Sequence, residues 1–361
     1  MNVELLVDSR AFWDRLTHDL AGAGSHAYLQ TFSFEGDAVG SALARTLEAC
    51  PAPDRRLLVD GYSLLYQNDR LIPGPAMADP AFRAEFRSTH AWVRHLRDGG
   101  VGVRFCNPLG PSPVRLLRRN HKKLVVVDDR VAYLGGINFC DHNFEWHDAM
   151  LRVESPELAQ HLAGDFRATW NGISLASDRT FGPLRVISLN GRGNPEGFAP
   201  VLEAMEGANR TIDVVSAYLS PPFSDHLAKA AARGVTVRVL TPDRNNKSNL
   251  ARHVMRVAHR HGFQVFRYPH RMNHLKAMLV DGETLVMGSS NFDFMSYHIL
   301  EELFVMTRDP AIVDAFLSRV WEPDTWMSQT VGGRRSLGTV LGHGAVWAGS
   351  RLAAAFAVSG G

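Results

Sequence analysis

At 361 residues the chain has the length of two ordinary domains, and a composition of 45% hydrophobic and 21% charged residues excludes gross disorder. The 39 Lys and Arg against 37 Asp and Glu leave a formal charge of +2, which excludes a protein that grips nucleic acid through its overall field, so any anion site has to be local. The 3 cysteines, Cys50, Cys106 and Cys140, show no C-x-x-C spacing, which argues against a disulfide framework and a structural zinc site and suits a reducing compartment.

In chain order, Met1 to Arg10 lacks a basic leader followed by an apolar run, so neither a signal peptide nor an anchor is expected there. His26 to Phe34 (HAYLQTFSF) has strand character, Gly40 to Ala49 has helical periodicity, and Arg56 to Asp60 reads as a second strand. Tyr62 to Arg87 is an apolar, proline-containing insertion, expected either as a flap over an apolar channel or as ordinary packed structure. Arg115, Arg118, Arg119, Lys122 and Lys123 then form a basic tract, read as a surface for an anionic layer or as a solvated loop. Glycine and proline between Arg179 and Pro200 place the domain linker there. Thr211 to Leu219, Ser224 to Arg233 and Val235 to Leu240 repeat the strand, helix, strand order, which favours an α/β sheet in each half. The tail from Ser336 to Val358 is apolar but broken by His343, Arg351 and glycines, so it can lie on a membrane without crossing one.

The chain is written twice. Asn120 to Asn138 reads NHKKLVVVDDRVAYLGGIN, and Asn273 to Asn291 reads NHLKAMLVDGETLVMGSSN. In both copies the lysine follows the histidine by two residues, the aspartate follows the lysine by five, and the asparagine follows the histidine by seventeen; the histidines are 153 residues apart (274 − 121). On a strand His121 and Lys123 share a face, as do His274 and Lys276, while Asp128 and Asp281 have the opposite parity and are expected to hold a turn or an ion pair on the far side. A two-residue hairpin loop would pair 281 with 284, hence His274 with Asn291 and, in the first copy, His121 with Asn138.

Imidazole, ammonium and carboxamide beside small residues (Gly136; Ser289, Ser290) suit a phosphoryl group: a nucleophile or acid, a cation for the non-bridging oxygens, and an orienting donor. A carboxylate on the second ring nitrogen fixes the tautomer of a catalytic histidine, and Asp148 and Glu302 follow their histidines by 27 and 28 residues. His253, His259 and His261, and His142 with His147 and Asp148, lack the spacing of a strong metal site; they read as surface histidines, and no metal ion is expected.

These residues resemble the phospholipase D superfamily, whose signature is H-x-K-x4-D followed by a small-residue step and an asparagine. NHKKLVVVDDRVAYLGGIN, GSSNFD, TFSFEGDAVG at 31 to 40 and AAARGVTVRVLTPD at 230 to 243 are most similar to bacterial cardiolipin synthases lacking transmembrane helices. The resemblance implies an α/β fold of two similar phospholipase D-type lobes, each a mixed β-sheet flanked by helices, forming one pseudo-twofold active site without metal or other cofactor. It implies a lobe at 1–180 and a second at 181–332; the tail at 333–361 departs from the family's usual C-terminus, and its apolar residues beside Arg334, Arg335 and Arg351 are what suggest that it associates with membrane.

It also implies a phosphohistidine intermediate, with His121 as nucleophile and His274 protonating the leaving alcohol. Lys123, Lys276, Asn138 and Asn291 would bind the phosphate, with Gly136, Ser289 and Ser290 lining it, and Asp148 and Glu302 would orient the histidines. The expected activity is phosphatidyl transfer, with phosphatidylglycerol as donor and acceptor; the alternative is a phospholipase D or nuclease that passes the group to water. The expected partners are phospholipid and an anionic membrane surface at the inner face of the cell membrane, in a cytoplasmic protein with no nucleic-acid partner.

Overall fold

The computed structural model describes residues 1–72, 74–109, 116–333 and 336–359. The chain divides into two compact units, Met1–Leu175 and Ala176–Gly361. The first runs β1 (Asn2–Val7), α1 (Asp8–Ala21), β2 (His26–Thr31), α2 (Ala38–Ala49), β3 (Asp54–Asp60), β4 (Tyr66–Gln67), β5 (Arg70–Leu71), α3 (Pro80–Asp98), β6 (Gly102–Cys106), β7 (Leu124–Val127), β8 (Val131–Gly135), α4 (Asp141–Glu145), β9 (Ala149–Glu154) and α5 (Pro156–Trp170). Its main sheet has the order β1-β9-β8-β7-β2-β3-β6. Parallel pairs join β2, β3 and β6, and antiparallel pairs join β7, β8 and β9, so the sheet is mixed.

The second unit runs β10 (Ser177–Phe181), β11 (Leu184–Ser188), α6 (Asn194–Gly207), β12 (Thr211–Val215), α7 (Phe223–Ala232), β13 (Thr236–Pro242), α8 (Ser248–His261), β14 (Gln264–Tyr268), β15 (Ala277–Val280), β16 (Thr284–Gly288), α9 (Phe294–His298), β17 (Leu303–Thr307), α10 (Pro310–Phe316), α11 (Glu322–Met327), β18 (Gln329–Val331) and α12 (Leu337–Ser359). The run β17-β16-β15-β12-β13-β14 within its sheet repeats β9-β8-β7-β2-β3-β6 strand for strand. The sequence repeat is therefore a repeat of fold, and the mixed α/β architecture expected for each lobe is present.

Each sheet is held by helices whose apolar stripe faces it. Phe12, Leu16, Leu43 and Leu47 from α1 and α2 pack with Leu29, Leu57, Val125 and Tyr133 of the first sheet. Phe198, Val201, Leu227 and Val254 from α6, α7 and α8 pack with Val214, Val239, Val265 and Met278 of the second. Burying such side chains contributes about 1.5–3 kcal/mol each.

Three sequence expectations need correction. First, Arg179 to Pro200 is not a linker: its glycines and prolines punctuate the β10–β11 hairpin and the start of α6, and the division between units falls after Leu175. Second, the hairpins have three-residue loops. Val127 pairs with Val131 and Val280 with Thr284, one residue out of the expected register, so neither histidine faces its asparagine directly across the ladder. Positive φ at Asp128 and Asp129, and at Asp281 and Gly282, accommodates the extra residue. Third, His121 and Lys123 precede β7, and His274 and Lys276 precede β15; these residues lie on the approach to the strand rather than within it.

The aspartates of the motif tie each hairpin to the strand beside it. Asp128 accepts backbone N–H bonds from Gly24 (2.7 Å), Ser25 (2.8 Å) and His26 (3.0 Å) at the start of β2. Asp281 accepts them from Asn209 (3.0 Å), Arg210 (2.8 Å) and Thr211 (2.9 Å) at the start of β12. Burial works against the charge of Asp128, but the three N–H donors outweigh it and hold its pKa at about 2; the same balance lowers that of Asp281.

Candidate active site

In each unit the segment before the central strand is bent by an asparagine that sequence reasoning gave no role. The Asn120 carboxamide oxygen accepts from the Lys122 backbone N–H (3.2 Å) and from Gln30 Nε2 (2.8 Å). The Asn273 oxygen accepts from the Leu275 backbone N–H (3.3 Å), and its Nδ2 donates to Asp324 (3.3 Å). Both are turns closed by a side chain two residues back. The signal was present, since each copy opens with asparagine.

The bend buries the histidine and the lysine after it. His121 and Lys123 are 8% and 1% exposed, and His274 and Lys276 are 5% and 2% exposed. Lys123 Nζ donates to the His121 carbonyl (2.8 Å) and lies 5.4 Å from the centre of the Phe32 ring. Lys276 Nζ donates to the His274 carbonyl and meets its ring Nδ1 at 2.5 Å. Each lysine is thus folded back against its own histidine, Lys123 at the carbonyl and Lys276 at both the carbonyl and the ring.

Aromatic side chains set the outer limit of the first histidine. Phe32 meets the His121 ring edge-on at 5.2 Å, Tyr62 stacks on Phe32 at 5.5 Å, and Tyr66 stacks on Tyr62 at 5.0 Å. Tyr62 and Tyr66 belong to the Tyr62 to Arg87 insertion, which is a 3₁₀ turn, the β4–β5 hairpin, a second 3₁₀ turn and the start of α3. In the second unit Tyr218 meets His274 edge-on at 5.9 Å.

At the end of the second strand of each hairpin the motif needs small residues for a direct steric reason. A Cβ on Gly135 would lie 2.3 Å from the Ala149 carbonyl oxygen, and one on Gly288 would lie 2.4 Å from that of Leu303. At the next position a Cβ on Gly136 would lie 2.2 Å from the Asp148 carboxylate, whereas Ser289 donates its hydroxyl to Glu302 (2.5 Å). The backbone N–H of Gly136 donates to Ala149 and that of Ser289 to Leu303, which makes Asp148 and Glu302 equivalent despite separations of 27 and 28 residues from their histidines. Both carboxylates are buried; Asp148 accepts from the Ala149 N–H (2.8 Å), and Glu302 also accepts from Ser296 (2.8 Å).

The two asparagines are also buried. Asn138 donates to Asn143 (2.6 Å) and accepts from Thr31 (3.3 Å). Asn291 Oδ1 is buried with no hydrogen-bond partner among the described residues, a costly state in a closed protein. Ser290 donates to the Asn291 carbonyl (3.0 Å).

The described members of the basic tract are not a solvated loop: Arg118 is half-buried and the others lie inside the protein. Arg119, Lys122 and Lys123 are buried; Arg119 pairs with Asp60 (3.2 Å) and Lys122 with Asp165 (2.8 Å), while Arg115 lies outside the described residues. Nor are all the discounted histidines at the surface. His253 is fully buried, 3.1 Å from Ser224 Oγ and stacked on His343, and burial followed by the His343 charge lowers its pKa to about 3. His147 is buried against Asp8 (2.7 Å).

Among the described residues, two overlapping groups have potential metal-ligand atoms within 4.8 Å of one another: Glu35, Cys140 and His142, and Glu35, Asp37 and Glu85. Linear spacing hid them, because Glu35 and Cys140 are 105 residues apart (140 − 35). Burial, with the charges of Asp37 and Glu85 adding to it and the Asn68 N–H opposing it, pushes the Glu35 carboxyl well above the usual carboxylate range.

A family model described as cardiolipin synthase, PLD-like domain, matches residues 16–170 and 201–322. Cardiolipin synthase of Listeria welshimeri is 26% identical over 355 residues, covering 88% of this chain and 68% of the relative. Cardiolipin synthase A of Pseudomonas entomophila is 29% identical over 343 residues, covering 86% of this chain and 66% of the relative. The chain thus spans about two thirds of the length of these proteins. In fold it is similar to phosphatidylserine synthase of Haemophilus influenzae, with a TM-score of 0.69 at 15% identity over 97% of this chain and 94% of that one. With both hairpins inside the matched ranges, the chain belongs to the cardiolipin synthase, phospholipase D-like domain family.

Proposed function

We propose that the protein is a phosphatidyltransferase that makes cardiolipin from two molecules of phosphatidylglycerol through a phosphohistidine. His121 attacks phosphorus; the bond to the departing glycerol breaks as a P–N bond forms, and His274 gives that glycerol its proton. A hydroxyl of the second phosphatidylglycerol then attacks the same phosphorus, His274 takes the hydroxyl proton, and the P–N bond breaks. Lys123, Lys276, Asn138 and Asn291 hold the phosphoryl oxygens, and Asp148 and Glu302 keep the imidazoles in the reactive tautomer. The protein works at the inner face of the cell membrane as a peripheral enzyme, and among the described residues no helix is long and apolar enough to cross a bilayer.

What supports this reading most is the duplication of one buried His-Lys pair, with its asparagine and carboxylate, in both units of a chain from this family. The stacked Phe32, Tyr62 and Tyr66 give the first histidine a dry wall, which favours an alcohol over water as acceptor. Incubated with phosphatidylglycerol vesicles, the protein is expected to release cardiolipin and glycerol with little phosphatidic acid. Phosphatidic acid as the main product makes it a hydrolase, and inertness toward phospholipids with cleavage of single-stranded DNA rejects the lipid reading.

A further inference from the structure

The helix α12 is apolar on both sides, yet only one side is covered. Its inner face seats closely on the second unit: Val346 and Ala353 are buried, a Cβ on Gly342 would lie 2.6 Å from Arg252 Cβ, and one on Gly349 would lie 3.0 Å from the Phe294 ring. Rings of His343 and His253 stack 4.9 Å apart across the α12–α8 contact. The outer face carries Leu337, Val340, Leu341, Trp347 and Leu352, of which Leu337 is 76% and Leu341 64% exposed, with Arg351 as its charge. Helices that are hydrophobic all round are normally buried, and an outward apolar strip roughly 25 Å long at 1.5 Å per residue exceeds the scattered apolar residues of an ordinary surface.

Charge decides what covers it. Neither α12 nor α8 contains an acidic residue. Arg252, Arg256 and Arg260 recur at four-residue spacing along α8; Arg252 Nε would be 3.9 Å from a Cβ on Gly338, in the first turn of α12, and Arg256 and Arg260 both act on His343. The carboxylate of Asp225 is the acidic group felt at His343. A second copy laid on this face would bring arginine stripes together, whereas phospholipid headgroups supply phosphates to the arginines and acyl chains to the leucines.

We propose that the outer face of α12, flanked by the α8 arginines, is the surface by which the protein lies on an anionic phospholipid bilayer. The leucines and Trp347 enter the headgroup boundary, and the arginines are attracted to the anionic headgroups. The inference deepens the phospholipid reading above and rests on it for the choice of partner. Within the basic tract, Arg119, Lys122 and Lys123 are buried and cannot serve as that surface.

The test is flotation of the full chain with phosphatidylglycerol vesicles and with phosphatidylcholine vesicles. The expected result is binding to the anionic vesicles with a blue shift in tryptophan emission that Trp347→Phe removes. The outward-facing variant Leu337→Ser/Leu341→Ser/Leu352→Ser, checked for an unchanged circular dichroism spectrum, should bind at least tenfold more weakly. Arg252→Gln/Arg260→Gln should lose the preference for anionic vesicles. With short-chain phosphatidylglycerol dissolved as monomers, the triple-serine variant should keep the wild-type rate. Vesicle binding by the triple-serine variant equal to wild type overturns the proposal, as does a wild-type dimer that this variant dissolves in the absence of any vesicle binding. A wild-type protein that binds vesicles through this face but turns over no phospholipid keeps the docking surface and removes the enzymatic reading.

Discussion

Replacing His121 or His274 by alanine is expected to lower phosphatidyl transfer by at least ~10⁴-fold in each case, because groups acting as one unit cannot be spared singly. One imidazole is asked to carry the phosphatidyl group and the other to move a proton, so the survivor has no means of doing both. The measurement is glycerol release from phosphatidylglycerol by each purified variant, with folding checked by circular dichroism. Asn138→Ala and Asn291→Ala, which remove an orienting donor and leave the covalent chemistry intact, should lose roughly 10²-fold to 10³-fold. A histidine variant that keeps about half the wild-type rate shows that each unit turns over independently and contradicts the assignment of complementary roles.

The largest stability effect is expected at Asp165. Lys122 is fully buried, and its ammonium makes two contacts with that carboxylate, at 3.0 and 2.8 Å. Asp165→Ala leaves a charge in the interior with no counterion, which costs about 3–5 kcal/mol. That is a large part of the 5–15 kcal/mol by which domains are usually stable, and should lower the first thermal transition by roughly 10 °C. The double variant Lys122→Met/Asp165→Leu, which removes both charges and keeps apolar volume, should recover most of the loss. Scanning calorimetry of the three proteins checks this. An Asp165→Ala variant as stable as wild type means that the lysine finds another partner at no cost.

The same ion pair shows where sequence reading runs out. The two copies of the motif, the alternating strands and helices, and the small residues at 135 and 288 are all local patterns with fixed spacing, and they were legible. A turn role for Asp128 and Asp281 was expected from strand parity, although the histidines and lysines that set this parity lie before the strands and the aspartates just after them. By contrast, five cations in nine residues read as a surface because their counterions are remote: Asp165 is 43 residues from Lys122, and Asp60 is 59 residues from Arg119.

The hairpin register failed for a different reason. Two- and three-residue loops both use residues at positive φ, and Asp128, Asp129 and Asp281 take it without being glycine, so nothing in the local sequence marks the longer loop. Gly182 with Pro183, and Gly191 and Gly193 before α6, suggested a linker, although the same residues serve equally to turn a hairpin and begin a helix. The outer face of α12 lay between these cases. Its composition suggested a membrane surface, but only the packed structure separates the residues held by α8 from those turned outward.

The central claim is transfer in two displacements through a histidine-bound intermediate, and the stereochemical course at phosphorus tests it most directly. Phosphatidylglycerol made chiral at phosphorus by isotopic oxygen is converted by the enzyme in the presence of a simple primary alcohol, and the configuration of the product phosphodiester is read by phosphorus NMR. Two in-line displacements, first by His121 and then by the alcohol, predict retention. Inversion would mean that the alcohol attacks the lipid directly, and would contradict the account.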